Sequence, residues 1–392
     1  MPGVSLNRKT AFRFIVCLGI VSLFADMTYE GARSALGPFL KDLGMSAAFV
    51  GIISGFGEML AASLRYFSGR FADRTRAYWT IVISGYALNV IVIPGLAFIH
   101  TWVGAAILIS LERTGKAIRG PARDVLLSSA TETVGHGKGF GLHAAMDQTG
   151  AIIGPLIVAV MVARSHAFGP AFLLLAIPAI LTMTSLLVAR HFGPGGGAPP
   201  KHELHDSVPR LFWIYVLAAG LLACGFADFP LLAYHFQNLG IFAPATIPLL
   251  YAAANGVSGL VALICGHLFD RYGITVLGFG ILVTMLMLPL GFLGGPVAAG
   301  IATLCWGAGL GVQDATLRSG ISQVVSMKQR GYAFGAFNGG FGVLWFAGSA
   351  IMGVLYNANM LGGVVAFGLT FQIAAAGMFF ALRRPLAKAI GR

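Results

Sequence analysis

Acidic and basic side chains stand at helical spacing inside the long apolar stretches of this sequence. Asp26, Glu30 and Arg33 follow one another at intervals of four and three residues, so on a helix they share one face. His143 and Asp147 are four residues apart in a later stretch. A carboxylate in apolar surroundings, with a cation or an imidazole beside it, can bind and release a proton as its neighbours move. The spacing therefore predicts proton transfer at Asp26, Glu30, Asp147 and His143.

Structural roles are also open to these residues. Asp26 could form a static ion pair with Arg33 or with another helix, and Asp147 could simply hydrogen-bond a neighbouring helix. An ionisable group at the centre of a bilayer costs about 2.5 to 3.5 kcal/mol on insertion scales, so either role would turn the side chain away from lipid.

Other polar residues inside the apolar stretches are candidates for binding a polar substrate. Arg113 could bind an anionic group of that substrate, or it could neutralise Glu112 and Asp26. Charge is denser in the first half of the chain, which predicts that coupling and the binding of charged ligands are concentrated there. The full set of candidates is Arg33, Glu58, Arg113, Asp228, Asn255, Asp314 and Asn338.

Three further cations follow Arg113 along the same apolar stretch. Lys116, Arg119 and Arg123 lie progressively nearer the cytoplasmic end of the expected span. We expect them to form gate pairs with Asp73 or to anchor the helix at the lipid surface, rather than to bind a ligand.

The elements that must position these residues are membrane-spanning helices. Of the 392 residues, 57% are hydrophobic and 10% are charged, whereas a soluble domain carries about 25% charged residues. A water-soluble enzyme is thereby excluded, and the predicted fold class is an all-α membrane protein with twelve transmembrane helices. Apolar stretches of 18 or more residues predict spans at about 11–38, 46–68, 78–99, 102–124, 138–163, 169–189, 211–236, 246–268, 274–293, 296–320, 331–356 and 362–382.

Positive charge lies mainly on one side of these spans. With the N-terminus inside, the external loops keep only Lys41 and Arg164, and most other Lys and Arg residues fall at cytoplasmic ends. The positive-inside bias then places both termini in the cytoplasm, and we expect a bacterial inner membrane. The net charge of +12 follows from this topology, so no nucleic-acid partner is predicted. The first apolar stretch is too long for a cleaved signal peptide.

The chain divides into two similar halves. The segment 190–210 is rich in Gly, Pro and charged residues, which predicts a cytoplasmic linker between bundles at 1–189 and 211–392. The segments 69–74 (GRFADR) and 266–271 (GHLFDR) match at an offset of 197 positions, each closing the second span of its half. Two further matches, in the same order, predict a tandem duplication.

A Gly-x-(Leu/Phe)-x-Asp-Arg segment in each half of a six-plus-six topology resembles the major facilitator superfamily over essentially the whole chain. The resemblance implies two pseudo-symmetric six-helix bundles and a conformational gate. In that gate Gly permits close helix approach, Asp faces a helix N-terminus and Arg forms ion pairs with the neighbouring bundle end. This sequence departs from the pattern at Arg76 and Ala77, and at Ile274 after Gly273. Alternatively, the segments only set topology. The implied gate residues are Gly69, Asp73, Arg74, Gly266, Asp270 and Arg271.

Gly150, Gly154 and Pro155 in the fifth span are similar to the signature of proton-driven exporters in that family. The resemblance implies that Gly154 and Pro155 also serve the gate, by a bend in the helix and by close packing against the other half. The trailing glycines of the signature are absent, and two glycines four residues apart are also common in ordinary helix packing.

These patterns together predict a proton-coupled secondary active transporter that works by alternating access, as a monomer. Export of a small organic compound by antiport is the first interpretation, and proton-linked uptake of an organic anion, favoured by Arg33, Arg113 and Lys116, is the alternative. No HExxH, GxSxG or P-loop motif occurs, and the four cysteines are isolated. We therefore expect no enzymatic activity, no ATP use, no metal and no cofactor.

Overall fold

A computed structural model describes residues 7–193, 208–325 and 330–389, and throughout them the chain is helical without a strand. The predicted linker at 190–210 therefore lies largely outside the described residues. The helices are α1 Arg8–Asp42, α2 Ala47–Thr75, α3 Tyr78–Gly95, α4 Trp102–Val134, α5 His136–Ser165, α6 Phe168–Leu174, α7 Ala176–Phe192, α8 Arg210–Cys224, α9 Phe229–Asn238, α10 Thr246–Tyr272, α11 Thr275–Met285, α12 Met287–Phe292, α13 Pro296–Val324, α14 Arg330–Asn357 and α15 Leu361–Ala389.

Every predicted span coincides with one of these helices or with two in succession. Within the described residues, eleven segments are long and apolar enough to cross a membrane. The remaining span is α4, which has 33 residues but carries more charge than such a segment tolerates. Its Glu112, Arg113 and Arg119 are buried, so protein rather than lipid surrounds them. The predicted all-α membrane fold is confirmed.

Contacts divide the chain into two units. The first unit extends to Ala35 and resumes at Ser63, so it holds the first part of α1, the second part of α2, and α3 to α7. The second unit combines Leu36–Ala62 with α8 to α15. The predicted division into bundles at 1–189 and 211–392 stays a prediction.

In the first unit, α3 and α4 approach each other at backbone distance. A Cβ atom on Gly85 would lie 2.7 Å from the backbone nitrogen of Arg119, and one on Gly115 would lie 2.8 Å from the carbonyl oxygen of Gly85. Real Cβ atoms are almost never that close to backbone atoms. Small residues therefore hold these helices together, as is common within membranes, and they fix the position of the charged residues on α4.

A second close contact in the first unit joins α5 to α1. A Cβ atom on Gly150 would meet the carbonyl oxygen of Leu23, and one on Gly154 would meet that of Met27. The nearest neighbours of this glycine pair lie on α1 of the same unit, and the predicted packing against the other half of the chain stays a prediction. Spacing shows which glycines share a face and cannot show which helix faces them.

In the second unit, the end of α1 and the beginning of α2 also pack against the later helices through glycines. Gly37 on α1 meets the backbone at Pro230 in α9. Gly51 and Gly55 on α2 meet α14 near Ser349. The end of α1 is further fixed by Lys41 and Asp42, which hydrogen-bond Gln237 at 3.2 and 2.6 Å.

Candidate functional site

The first unit holds a cluster of charged residues on three helices, α1, α4 and α5. Lys116 Nζ on α4 lies 3.8 Å from Glu30 Oε1 on α1 and 3.9 Å from the ring centroid of Tyr29. Glu30 is buried, and the side chain of Lys116 is 20% exposed. The cation is thus held between a carboxylate and an aromatic face, two groups that both stabilise an ammonium away from water.

Arg119 is the most deeply buried cation of α4, with 2% of its surface exposed. Its guanidinium carbon lies 4.1 Å from the ring centroid of Tyr86 and 5.8 Å from that of Tyr29. Its Nε atom has no hydrogen-bond partner among the described residues. Aromatic faces, rather than a contacting carboxylate, therefore hold this guanidinium in place.

Asp26 lies on α1 beside these cations and is buried. The charged groups close enough to act on it include Asp147, Lys116, Arg119 and Glu30. Within the described parts of the chain its carboxylate takes part in no hydrogen bond or ion pair. The static pair with Arg33 that the sequence also allowed is therefore not formed, and no fixed partner occupies the carboxylate.

His143 connects Asp147 to α1. Its Nδ1 lies 3.3 Å from Asp147 Oδ2, and its Nε2 lies 3.1 Å from Ser22 Oγ. Ser22 in turn accepts a hydrogen bond of 3.4 Å from Arg123 Nη1. The predicted pair of His143 and Asp147 is thus extended by a hydroxyl and a guanidinium, and the tight α1–α5 contact at Gly150 brings this chain of groups next to Asp26.

A third buried group joins α3 and α4. Asn89 Nδ2 donates to Glu112 Oε1 at 2.8 Å, and Glu112 Oε2 pairs with Arg113 Nε at 3.3 Å. All three side chains are buried. Of the two partners that the sequence offered for Arg113, Glu112 is therefore the one that it contacts.

The prediction that Lys116, Arg119 and Arg123 are lipid anchors or gate pairs for Asp73 is wrong. Lys116 and Arg119 face Tyr29 and Tyr86, while Arg123 pairs with Asp124 at 2.9 Å and reaches Ser22. Asp73 accepts a hydrogen bond of 3.3 Å from Tyr78 instead. The intervals of three and four residues did place the three cations on one face, and that face is turned inward.

In the second unit, a break in the seventh span is the main polar feature. The helix stops at Cys224 and restarts at Phe229, with Asp228 as the N-cap of α9. Asp228 is buried and accepts from its neighbour's amide at 3.0 Å. Two buried backbone carbonyls of the break accept hydrogen bonds from side chains: Gln372 donates to Gly225 O at 2.8 Å and Trp306 donates to Ala227 O at 3.2 Å.

The other predicted substrate residues are dispersed. Arg33 and Glu58 are half-buried on α1 and α2, and Glu58 belongs to the second unit. In that unit, Asn255 is buried on α10, Asn338 is half-buried on α14 and Asp314 is exposed on α13. The predicted role of these residues in binding a substrate stays a prediction.

A residue with a positive φ follows each of the two repeated segments, at the ends of α2 and α10. Arg76 after α2 has φ of 55°, and Gly273 after α10 has φ of 61°, at equivalent places in the repeat. Glycine adopts this left-handed conformation readily, whereas another residue costs about 1 to 2 kcal/mol. Arg76, at the place of the missing glycine, is therefore held in a strained conformation. Gly273 has a ψ of −145° as well, a combination that glycine alone adopts readily.

Close helix approach at the gate glycines is not found. A Cβ atom on Gly69 would lie 3.5 Å from Pro121, an ordinary contact, and one on Gly266 would meet open space among the described residues. Asp73, Arg74, Asp270 and Arg271 are exposed at the helix ends. The close helix approach that the resemblance implies for Gly69 and Gly266 is thus wrong in this structure, while their gating role stays a prediction.

The family is decided by comparison with known proteins. The sequence model of the Major Facilitator Superfamily matches residues 18–349 of this chain. The chain belongs to the Major Facilitator Superfamily. The predicted family is therefore confirmed, and the superfamily's fold accounts for the twelve spans.

Two uncharacterized proteins are similar to this member of the Major Facilitator Superfamily. An uncharacterized protein of Mycobacterium tuberculosis is 38% identical over 98% of this chain and 96% of its own length. A protein of Methanocaldococcus jannaschii described as an uncharacterized transporter of the superfamily type is 24% identical over 71% of this chain and 75% of its own.

Solved transporters share the fold of the superfamily member described here. The nucleoside transporter NupG has a TM-score of 0.73 at 16% identity, with 96% of this chain and 99% of that chain covered. A peptide transporter POT in complex with sulfate has a TM-score of 0.76 at 14% identity, with 97% and 95% covered. Family and fold together indicate an integral membrane transporter for a small molecule rather than an enzyme.

Proposed function

We propose that this protein is a proton-coupled secondary active transporter that exports a small organic compound by antiport. Two bundles, at 1–189 and 211–392, rock about a central site and expose it to the two sides of a bacterial inner membrane in turn. The proposal includes a monomer with both termini in the cytoplasm. Protons bind at Asp26, Glu30, Asp147 and His143, and the substrate binds among the dispersed polar residues of both halves.

The surroundings of the Asp26 carboxylate are the main support for proton coupling. This buried carboxylate has no hydrogen-bond partner in the described chain, yet four charged groups act on it. A carboxylate in that position changes its proton affinity whenever helix movement changes the distance to a cation. Lys116 and Arg119 lie on α4, so a shift of α4 against α1 would bind or release a proton at Asp26.

A route for that proton is supported by the chain of groups beside Asp26. An imidazole between a carboxylate and a hydroxyl can pass a proton from one nitrogen to the other. His143 has this position, with Asp147 at 3.3 Å and Ser22 at 3.1 Å. Asp26 and Asp147 lie on α1 and α5, whose tight contact keeps the two carboxylates near each other.

A second candidate function, uptake of an organic anion with protons, is favoured by Arg119. This guanidinium is 2% exposed and stacks on Tyr86 without a carboxylate contact, and its Nε atom is unpaired in the described structure. A buried cation is stabilised by an anion, and a carboxylate or phosphate of a substrate would supply one.

The direction of the pH-driven flux separates the two functions. Purified protein would first be screened by thermal shift against metabolites and antimicrobials at two pH values. The stabilising compounds would then be supplied at equal concentration inside and outside proteoliposomes of known orientation. Acidifying the external side should drive such a compound outward if the protein is an antiporter. Inward movement would instead establish proton-linked uptake, and flux that ignores the pH gradient would contradict proton coupling in either direction.

A further inference from the structure

A small cavity at one end of the first unit lies apart from the charged cluster. It is formed where α1 begins, α4 ends and α5 begins. Two cations and several apolar side chains share this cavity, and none of them belongs to the proposed coupling route. The cavity measures about 180 Å³, and its lining residues are Arg8, Phe12, Ile15, Val134, Lys138, Gly139 and Leu142.

The lining is amphipathic. Arg8 and Lys138 are exposed, and in the described residues neither has an ion-pair partner. Ile15 at the bottom is fully buried, whereas Phe12 is 50% exposed. Such a cavity offers positive charge at its rim and an apolar interior, which suits a ligand with an anionic head and a hydrocarbon tail.

The N-terminus of α5 adds to the attraction for an anion. Gly135 caps this 30-residue helix without a side-chain hydrogen bond, so its first amides can donate to a bound oxygen. At α1, by contrast, Asn7 Oδ1 already accepts from Thr10 at 2.8 Å. Lys138 lies in the first turn of this helix and lines the cavity, so the helix end and the cation attract an anion to the same place.

We propose that this cavity binds an anionic phospholipid of the adjacent leaflet. Arg8 and Lys138 bind the phosphate from two sides, and the start of one acyl chain enters between Phe12 and Leu142. The volume is below the roughly 300 to 1,000 Å³ of a site for a whole small-molecule ligand, so only part of the lipid is enclosed. A basic cavity between helices at the membrane surface is suited to this kind of headgroup.

Native mass spectrometry with dioleoylphosphatidylglycerol tests the proposal on the full chain in detergent. Wild-type protein should bind this lipid in preference to dioleoylphosphatidylcholine. The double variant Arg8→Gln/Lys138→Gln should lose about 30-fold in affinity, because each surface cation contributes about 1 kcal/mol to binding an anionic lipid and 1.4 kcal/mol is tenfold. Leu142→Trp, which fills the cavity and keeps both cations, should weaken binding as well.

Arg210→Gln is the matched control, since Arg210 is an exposed cation in the first turn of α8 and does not line the cavity. It should bind the lipid as the wild type does. Equal binding by the wild type and the double variant would overturn the proposal. So would wild-type binding of sn-glycerol 3-phosphate as strong as that of the lipid, because the site would then recognise free phosphate.

Discussion

Replacing Asp26 with Asn should abolish the whole pH-driven component of transport while the protein still folds and binds substrate. Asn has nearly the size of Asp but cannot release a proton, so the cations of α4 lose a carboxylate on which they act. Proton movement triggered by a stabilising compound, recorded with a pH-sensitive dye inside proteoliposomes, should fall to that of protein-free liposomes. Exchange of labelled for unlabelled compound without a pH gradient should persist.

Glu132→Gln provides the control for this experiment. Glu132 is an exposed carboxylate near the end of α4, outside the charged cluster, so its loss should leave proton movement unchanged. If Asp26→Asn moves the compound uphill at the wild-type rate across pH, the assignment of proton coupling to Asp26 is wrong. The family and the fold would be unaffected by that result.

Replacing Glu112 with Ala should lower the free energy of unfolding by about 3 to 5 kcal/mol, the usual result of removing one partner from a buried ion pair. The change removes the carboxylate that pairs with Arg113 at 3.3 Å and accepts from Asn89 at 2.8 Å. The polar groups of Arg113 and Asn89 then stay buried between α3 and α4 without this partner. Proteins are stable by only about 5 to 15 kcal/mol, so unfolding in mixed micelles should show a large shift.

The double variant Glu112→Met/Arg113→Met distinguishes lost pairing from lost packing. With both charges removed and apolar side chains of similar volume in their place, at least half of the stability should return. A loss below about 1 kcal/mol in Glu112→Ala would show that water reaches this pair and that it is not truly buried.

The sequence predicted the twelve spans well because hydropathy and length are averaged over about twenty residues. It also predicted that His143 and Asp147 meet, since an interval of four residues brings side chains together on any helix. It did not predict which helix lies opposite a given face. Lys116 and Arg119 therefore contact aromatic rings of α1 and α3 where gate pairs or lipid anchors are expected, and the glycines of α5 contact α1.

The break in the seventh span could have been found from the sequence. Asp228 precedes Phe229 and Pro230, and Asp as N-cap followed by Pro in the first turn is a typical helix start. Gly225 three residues earlier is a typical place for a helix to end. The side chains that satisfy the break, Gln372 and Trp306, are 147 and 79 positions away, a distance over which local patterns carry no information.

The proposed mechanism requires that the charged cluster of α1, α4 and α5 lines a water-filled crevice that opens to each side of the membrane in turn. Its most direct test is Leu23→Cys, beside Asp26, in a protein without native cysteines, with Ile91→Cys as control because Ile91 is 63% exposed in an apolar span. We predict that water-soluble maleimides applied from either compartment label position 23 and leave position 91 unlabelled. Failure to label position 23 from either side would contradict the account. The native cysteines to be replaced are Cys17, Cys224, Cys265 and Cys305.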